Sequence, residues 1–140
     1  RPMKMFIDCI GIGAGCVDRL QEMGYECVVG VNVSRTANNP DRFANLRAEL
    51  WSEMRDWFNQ DMPVQIPDDP ELQKELCGLG YLHNSSGRLL IESKKDAKSR
   101  GMESPDLADA LMITFAYGQH AGTSTYQPNI ISEHTAGRLI

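Results

Sequence analysis

The first third of the chain alternates between apolar runs that favour strands and one run with helical spacing. From residue 3 to residue 10 the sequence MKMFIDCI is apolar and stops at Gly11, which is typical of a buried strand. After GIGAG, apolar residues recur at helical spacing in CVDRLQEMG, which closes on Gly24. Residues 25–34, YECVVGVNVS, form a second apolar run. The pattern predicts a strand, a glycine turn, a helix and a strand, which is a βαβ unit with two parallel strands and an α/β fold.

The middle of the chain predicts two helices and a hairpin. Apolar residues recur every three or four positions between residues 43 and 60, as in a strongly amphipathic helix. The segment PELQKELCG, residues 70–78, indicates a short helix that begins with proline and ends with glycine. The runs 81–84 and 88–93 flank the connection SSG, which is typical of a hairpin. This hairpin either extends the sheet or stands beside it.

The C-terminal part predicts two further helices and a tail. KKDAKSRG indicates a short basic helical turn. Ser104 as N-cap and Pro105 as the first helical residue then open the helix LADALMITFAYG, which is apolar on most sides and therefore expected to be buried. Residues 119–140 lack periodicity, so we expect a loosely ordered tail after a domain that spans residues 1–118.

Composition and charge narrow the classes of function. The 140 residues are 41% hydrophobic and 24% charged, and no apolar run approaches the roughly 20 residues of a membrane-spanning helix, so we expect one soluble domain without membrane contact. The four cysteines show no metal-binding spacing and no secretion signal opens the chain, which favours a reducing, intracellular setting. A net charge of −5 argues against holding nucleic acid by bulk charge alone, and it leaves room for an acidic metal site.

Three aspartates are the candidate catalytic and metal-binding residues. Asp8 lies inside an apolar strand, where an ionised carboxylate needs a compensating partner, although it alternatively caps the GIGAG turn. Asp106 and Asp109 are three residues apart on one helical face. Asp106 has a second explanation in the helix dipole, whereas Asp109 is followed by core residues. Together the three carboxylates suit a two-metal phosphodiesterase that uses Mg²⁺ or Mn²⁺.

A basic patch adjoins the acidic pair. Such a run is usually only a solvated face, but its position next to Asp106 and Asp109 suggests that it holds a phosphate backbone. The candidate DNA-binding residues of this patch, which also includes Arg88, are Lys94, Lys95, Lys98 and Arg100.

Three segments together resemble the C-terminal nuclease domain of the large terminase subunit of tailed bacteriophages. They are FIDCIGIGAGCVDRLQEMGYECVVGVNVS, FANLRAELWSEMRDWF and RLLIESKKDAKSRGMESPDLADALMITFA, within residues 5–117. The resemblance implies an RNase H-like fold, with a mixed sheet flanked by helices. It also implies an endonuclease that cuts concatemeric viral DNA during genome packaging. It also implies double-stranded DNA, the terminase small subunit and the portal as partners, in the cytoplasm of the bacterial host.

The resemblance also places the three aspartates and predicts what the chain lacks. Asp8 corresponds to the acidic residue on the fourth strand of that fold, and either Asp106 or Asp109 to the last acidic position. The first strands of the fold, with a further metal-binding aspartate, are expected to be missing. We therefore expect little nuclease activity from this chain alone, and an open strand edge that favours homo-oligomers.

Two other functions compete with this interpretation. GIGAG after a strand imitates a dinucleotide-binding fingerprint of the NADP type, although Cys16 stands where that pattern requires glycine or alanine. A non-catalytic docking module of a packaging complex would instead expose Trp51 and Trp57, whose spacing better fits burial in a core.

Overall fold

The computed structural model describes residues 2–116 and 118, which contain four strands and five α-helices followed by a 3₁₀ turn. The predicted tail, residues 119–140, lies outside the described residues. In chain order the elements are β1 (Met5–Asp8), α1 (Ile12–Glu22), β2 (Val28–Val31), α2 (Leu46–Phe58), α3 (Pro70–Gly78), β3 (Tyr81–His83), β4 (Leu89–Ile91), α4 (Lys94–Ser99), α5 (Asp106–Ile113) and the 3₁₀ turn Thr114–Ala116.

The predicted βαβ unit is present, and its two strands are parallel. Helix α1 starts at Ile12, four residues before the expected start, so most of GIGAG is helix and only Gly11 forms the turn, with a φ of 65°. Gly13 explains the early start. A Cβ at this position would collide with the carbonyl oxygen of Asp8, so only glycine lets the first turn of α1 press directly onto the end of β1.

The strands form two separate two-stranded sheets, which corrects the expectation of one mixed sheet. Strands β3 and β4 pair antiparallel as predicted, with Tyr81 opposite Ile91, and this hairpin stands beside the parallel pair. Leu89 of β4 lies opposite His83 in the hairpin, and its backbone also bonds to the loop before α2. Its N–H donates to the carbonyl of Arg42, and its carbonyl accepts from the N–H of Ala44. That loop takes the place that a neighbouring strand would occupy.

Helix α2 is the centre of the core. Its cap is Asn45, whose side chain accepts a hydrogen bond from the N–H of Ala48 at 2.9 Å. Its apolar stripe packs against β2 and against α5, which brings the helix with the acidic pair next to the strands. The most deeply buried members of this core are Val31, Leu46, Leu50, Met54, Ala108, Met112 and Ala116.

Strand β1 is less buried than its apolar sequence predicts. Met5 and Asp8 are exposed, and only the two residues between them are half-buried. Within the described part of the chain β1 pairs with β2 alone, so its other edge has no strand partner there, as predicted. Strand β2 is more deeply buried, since both Val28 and Val31 are buried.

Three further observations concern the expected class of protein. In residues 2–116 and 118, no helix is long and apolar enough to cross a membrane. All four cysteines are free thiols. The described elements contain one βαβ unit, followed by helices and a hairpin, where a dinucleotide-binding fold would repeat the unit.

Candidate metal and DNA site

All three predicted aspartates line one cavity of about 600 Å³. The cavity lies beyond the carboxyl ends of the two parallel strands, where open α/β sheets generally bind their ligands. Asp8 reaches it from the end of β1, and Asp106 and Asp109 reach it from the first turn of α5. Two basic side chains, Arg47 of α2 and Lys94 of α4, also line it. The cavity therefore gathers both signs of charge from four separate elements.

Asp8 is exposed at the end of its strand, which corrects the expectation of a buried carboxylate. Its Oδ1 accepts a hydrogen bond from the N–H of Ile10 at 3.0 Å, so it does cap the turn into α1. The two interpretations of Asp8 are compatible, since a carboxylate that caps with one oxygen still faces the cavity.

Asp106 is the first residue of α5 and is exposed. Ser104 is not the N-cap, contrary to prediction. The cap position belongs to Pro105, and the Ser104 hydroxyl donates to Oδ1 of Asp106 at 2.6 Å. The N–H of Asp106 is directed back to the carbonyl of Ser104 at 2.9 Å, which tightens the chain before the helix and moves the start one residue on.

Asp109 is the most enclosed of the three carboxylates, with a side chain that is 20% exposed. Its Oδ1 accepts from Nη2 of Arg47 at 3.2 Å and from Nε1 of Trp51 at 3.3 Å. Its Oδ2 lies 3.0 Å from Nζ of Lys94. These contacts explain the acid that precedes core residues, because Asp109 links α5 to α2 and to α4.

Arg47 is the site residue that the sequence analysis missed. Its side chain is 15% exposed, and besides Asp109 it reaches the carbonyl of Glu92 at 3.2 Å. Arg47 and Trp51 are four residues apart on α2 and therefore present one face to Asp109. A lone cation among the apolar positions of an amphipathic helix is the signal that could have identified it.

The residues of the basic patch lie in three different settings. Lys94 points into the cavity, while Lys95 and Lys98 are exposed on α4 beside it. Arg100 is tied to the fold, because its Nε and Nη2 donate to the two carboxylate oxygens of Glu92 at 2.8 and 2.6 Å. The hydrogen bonds from Arg100, with a further one from the backbone N–H of Gly80, lower the pKa of Glu92 to about 2. A DNA contact by any of these residues stays a prediction.

The oxygen donors in the cavity are of the type that a hard divalent cation prefers. Carboxylate oxygens are the ligands that Mg²⁺ and Mn²⁺ prefer, and Asp8 and Asp106 are accessible to solvent. Among residues 2–116 and 118, however, no three acidic, histidine or cysteine side chains are grouped closely enough to hold one ion. Asp109 already faces two cations, so a metal ion at its Oδ2 would have to displace Lys94.

The chain matches no protein-family model and no curated protein sequence. Its fold, however, is similar to solved structures of the nuclease domain of the large terminase subunit gp2 of bacterial virus Sf6. A lysine-to-alanine variant of that domain with manganese has a TM-score of 0.64 at 20% identity, over 81% of this chain and 65% of that one. The chain has the fold of a phage terminase nuclease domain.

Two further structures of the same viral domain give the same result. The nuclease domain itself has a TM-score of 0.62, and a variant with calcium has 0.61, each at 21% identity over 81% of this chain. The chain spans 64% of the length of each. The resemblance seen in the sequence is thus confirmed for the fold, and the similar domain has been solved with manganese and with calcium.

Proposed function

We propose that this chain is an RNase H-like, metal-dependent DNA endonuclease domain of a phage or prophage terminase large subunit. One observation carries the proposal: on a fold shared with a terminase nuclease domain, the three aspartates that the sequence singles out line a single cavity. The exposed lysines of α4 lie beside that cavity, as a phosphate-binding surface must. Its task would be to cut concatemeric viral DNA during genome packaging in the host cytoplasm, together with the small subunit and the portal.

Asp8, Asp106 and Asp109 are the residues that would hold Mg²⁺ or Mn²⁺. Two such ions would activate the attacking water and stabilise the leaving oxygen of the phosphodiester. Arg47 holds Oδ1 of Asp109 in a fixed direction, and Lys94 offsets the charge of Oδ2. Because no compact group of three acidic ligands is found in the described residues, we expect weak metal binding and little cutting by this chain alone. Robust Mg²⁺- or Mn²⁺-dependent cutting of plasmid DNA that Asp8→Asn abolishes would overturn that expectation.

DNA would be held by its phosphates rather than read by its bases. Lys95 and Lys98 are exposed on α4, and Lys94 at the start of the same helix lines the cavity. A DNA backbone that lies along α4 would therefore reach the carboxylates. Ammonium groups bind phosphate as point charges and carry no sequence information. The proposed interface is therefore sequence-independent and sensitive to salt.

The test is duplex binding by fluorescence anisotropy over a series of salt concentrations. In the double variant Lys95→Glu/Lys98→Glu we expect weaker binding. The slope of the logarithm of the binding constant against the logarithm of the salt concentration should become shallower by about 0.9 for each lost phosphate contact. The matched control is Arg19→Glu/Lys74→Glu, which makes the same change in net charge at exposed positions on α1 and α3. Binding that is absent in the wild type, or equally weakened in both double variants, would contradict the proposal.

A further inference from the structure

Helix α5 carries two of the three site aspartates, yet it has no side-chain cap of its own. Its cap position is Pro105, which offers no hydrogen-bonding side chain, and Ser104 is occupied with Asp106. The first N–H groups of a helix have no partner within the helix, and those that are buried need one from elsewhere. The N–H of Ala108 is such a group, because Ala108 is fully buried.

Glu75 supplies this partner from another helix. It lies in the last part of α3, its Oε2 accepts from the N–H of Ala108 at 2.8 Å, and the residue is only 7% exposed. Thirty-three positions separate the two residues in the sequence. In the described residues Glu75 has no ion-pair partner, so the positive end of the α5 dipole is the feature that offsets its buried charge.

Helix α3 holds the segment before α5 at a second place. The carbonyl of Gly78 accepts from Nη2 of Arg100 at 3.1 Å. The side chain of Met102 packs so closely on Gly78 that a Cβ there would lie 2.8 Å from its Cε. Helix α3 therefore contacts the chain on both sides of Glu103, at Arg100 and Met102 before it and at Ala108 of α5 after it.

From these contacts we infer that Glu75 is a positioning residue, which caps α5 from α3 and thereby sets Asp106 and Asp109 in the cavity. The carboxylate acts through the helix, since Glu75 is not among the residues that line the cavity. The consequence for metal binding rests on the proposed function, whereas the cap itself does not. What the cap requires is an acceptor oxygen at the end of a side chain of this length.

Three variants of Glu75 separate the effect of side-chain length from the effect of charge. Glu75→Gln keeps an acceptor at the same distance and removes the charge, Glu75→Asp keeps the charge and shortens the side chain, and Glu75→Ala removes both. Glu71→Ala is the matched control, because Glu71 is exposed in the first turn of the same helix. Each variant is measured by NMR for the exchange rate of the Ala108 amide, and by Mn²⁺ titration of the signals of α5.

We expect the Ala108 amide to exchange about tenfold faster or more in Glu75→Ala and Glu75→Asp, and close to the wild-type rate in Glu75→Gln and Glu71→Ala. Mn²⁺ affinity should fall by roughly tenfold to 100-fold in the first two variants and be rescued by glutamine. If Glu75→Ala does not fold, the aspartate and glutamine variants decide between the alternatives.

The outcomes distinguish this inference from the proposed function. Unchanged exchange at Ala108 in Glu75→Asp would overturn the cap. Altered exchange with unchanged Mn²⁺ affinity would overturn the positioning role. A wild type that binds no Mn²⁺ near α5 would instead contradict the proposed function, and the exchange rates would still decide whether Glu75 caps the helix.

Discussion

The ammonium group of Lys94 lies 3.0 Å from Oδ2 of Asp109, at the wall of the cavity that the three aspartates line. The other oxygen of the same carboxylate is held by Arg47 and Trp51. The two oxygens therefore differ in availability. Oδ1 belongs to the packing between α2 and α5, whereas Oδ2 pairs with a lysine whose side chain is 55% exposed and free to exchange with a cation from solution.

Replacing Lys94 with alanine should increase the affinity of the cavity for Mn²⁺. The variant frees Oδ2 of Asp109 and removes a positive charge that a divalent ion must displace. An ion pair whose lysine is 55% exposed stabilises by about 1 kcal/mol or less, so we expect a gain of up to roughly fivefold. Isothermal titration calorimetry measures it, with Lys95→Ala as the control of equal charge on the same helix. Equal gains in both variants would show that Lys94 does not compete for the site.

Replacing Trp51 with phenylalanine should destabilise the fold through Asp109. The variant keeps an aromatic ring and removes the N–H that donates to Oδ1, which costs about 1 kcal/mol. Trp57→Phe makes the same change six residues further along α2, where the half-buried indole packs edge-on against Phe115. Urea unfolding compares the two. A loss of stability in Trp57→Phe as large as in Trp51→Phe would argue against the role of the hydrogen bond.

The Glu92–Arg100 pair predicts a defined dependence of stability on pH. Hydrogen bonds from Arg100 and Gly80 lower the pKa of Glu92 in the folded protein to about 2, below its ordinary value of 4.5. A carboxylate with a lowered pKa stabilises the fold above its unfolded pKa, and this contribution disappears as pH falls through the folded value. The stabilisation is therefore complete above about pH 4.5 and lost between there and about pH 2.

Glu92→Gln tests this dependence through the melting temperature. The variant should melt below the wild type at neutral pH, and the gap should close as the pH falls from 4.5 towards 2. Glu103→Gln, at an exposed position nearby, should show no such gap. A gap for Glu92→Gln that persists unchanged at pH 2 would mean that the carboxylate acts by packing rather than by charge.

Local signals predicted most of the elements. Proline at the start and glycine at the end defined α3, and the connection SSG defined the β3–β4 hairpin. The start of α1 was wrong because the glycines of GIGAG were interpreted as a turn. Gly13 serves a tertiary contact with the carbonyl of Asp8, which a pattern of local residues does not reveal.

The sequence predicted the acidic residues of the candidate site but not the residues that hold them in place. Asp8, Asp106 and Asp109 stood out because carboxylates are unusual beside apolar runs, and all three line the cavity. Arg47 and Glu75 were missed because their partners are remote. Arg47 meets Asp109 across 62 positions, and Glu75 meets Ala108 across 33, so only the packing of α2 and α3 on α5 shows what these two charged side chains do.

The edge of β1 that has no strand partner within residues 2–116 and 118 should make the protein associate as its concentration rises. An unpaired strand edge with exposed apolar residues is a template for pairing with another chain, and Met5 on β1 is 38% exposed. Multi-angle light scattering over a concentration series should show dimers that Met5→Lys suppresses. Met62→Lys, an equal change at a residue that is 55% exposed outside the strands, should leave them intact. A strict monomer at high concentration would count against pairing through the edge of β1.

The location of bound manganese shows directly whether the three aspartates hold metal. A crystal of the chain soaked in Mn²⁺ gives anomalous density at the metal, independently of any assay of cutting. We expect a peak in the cavity within coordination distance of Asp8 and of Asp106 or Asp109, with Lys94 displaced where the ion reaches Oδ2 of Asp109. Ordered manganese only at other sites, with these three carboxylates free of metal, would contradict it.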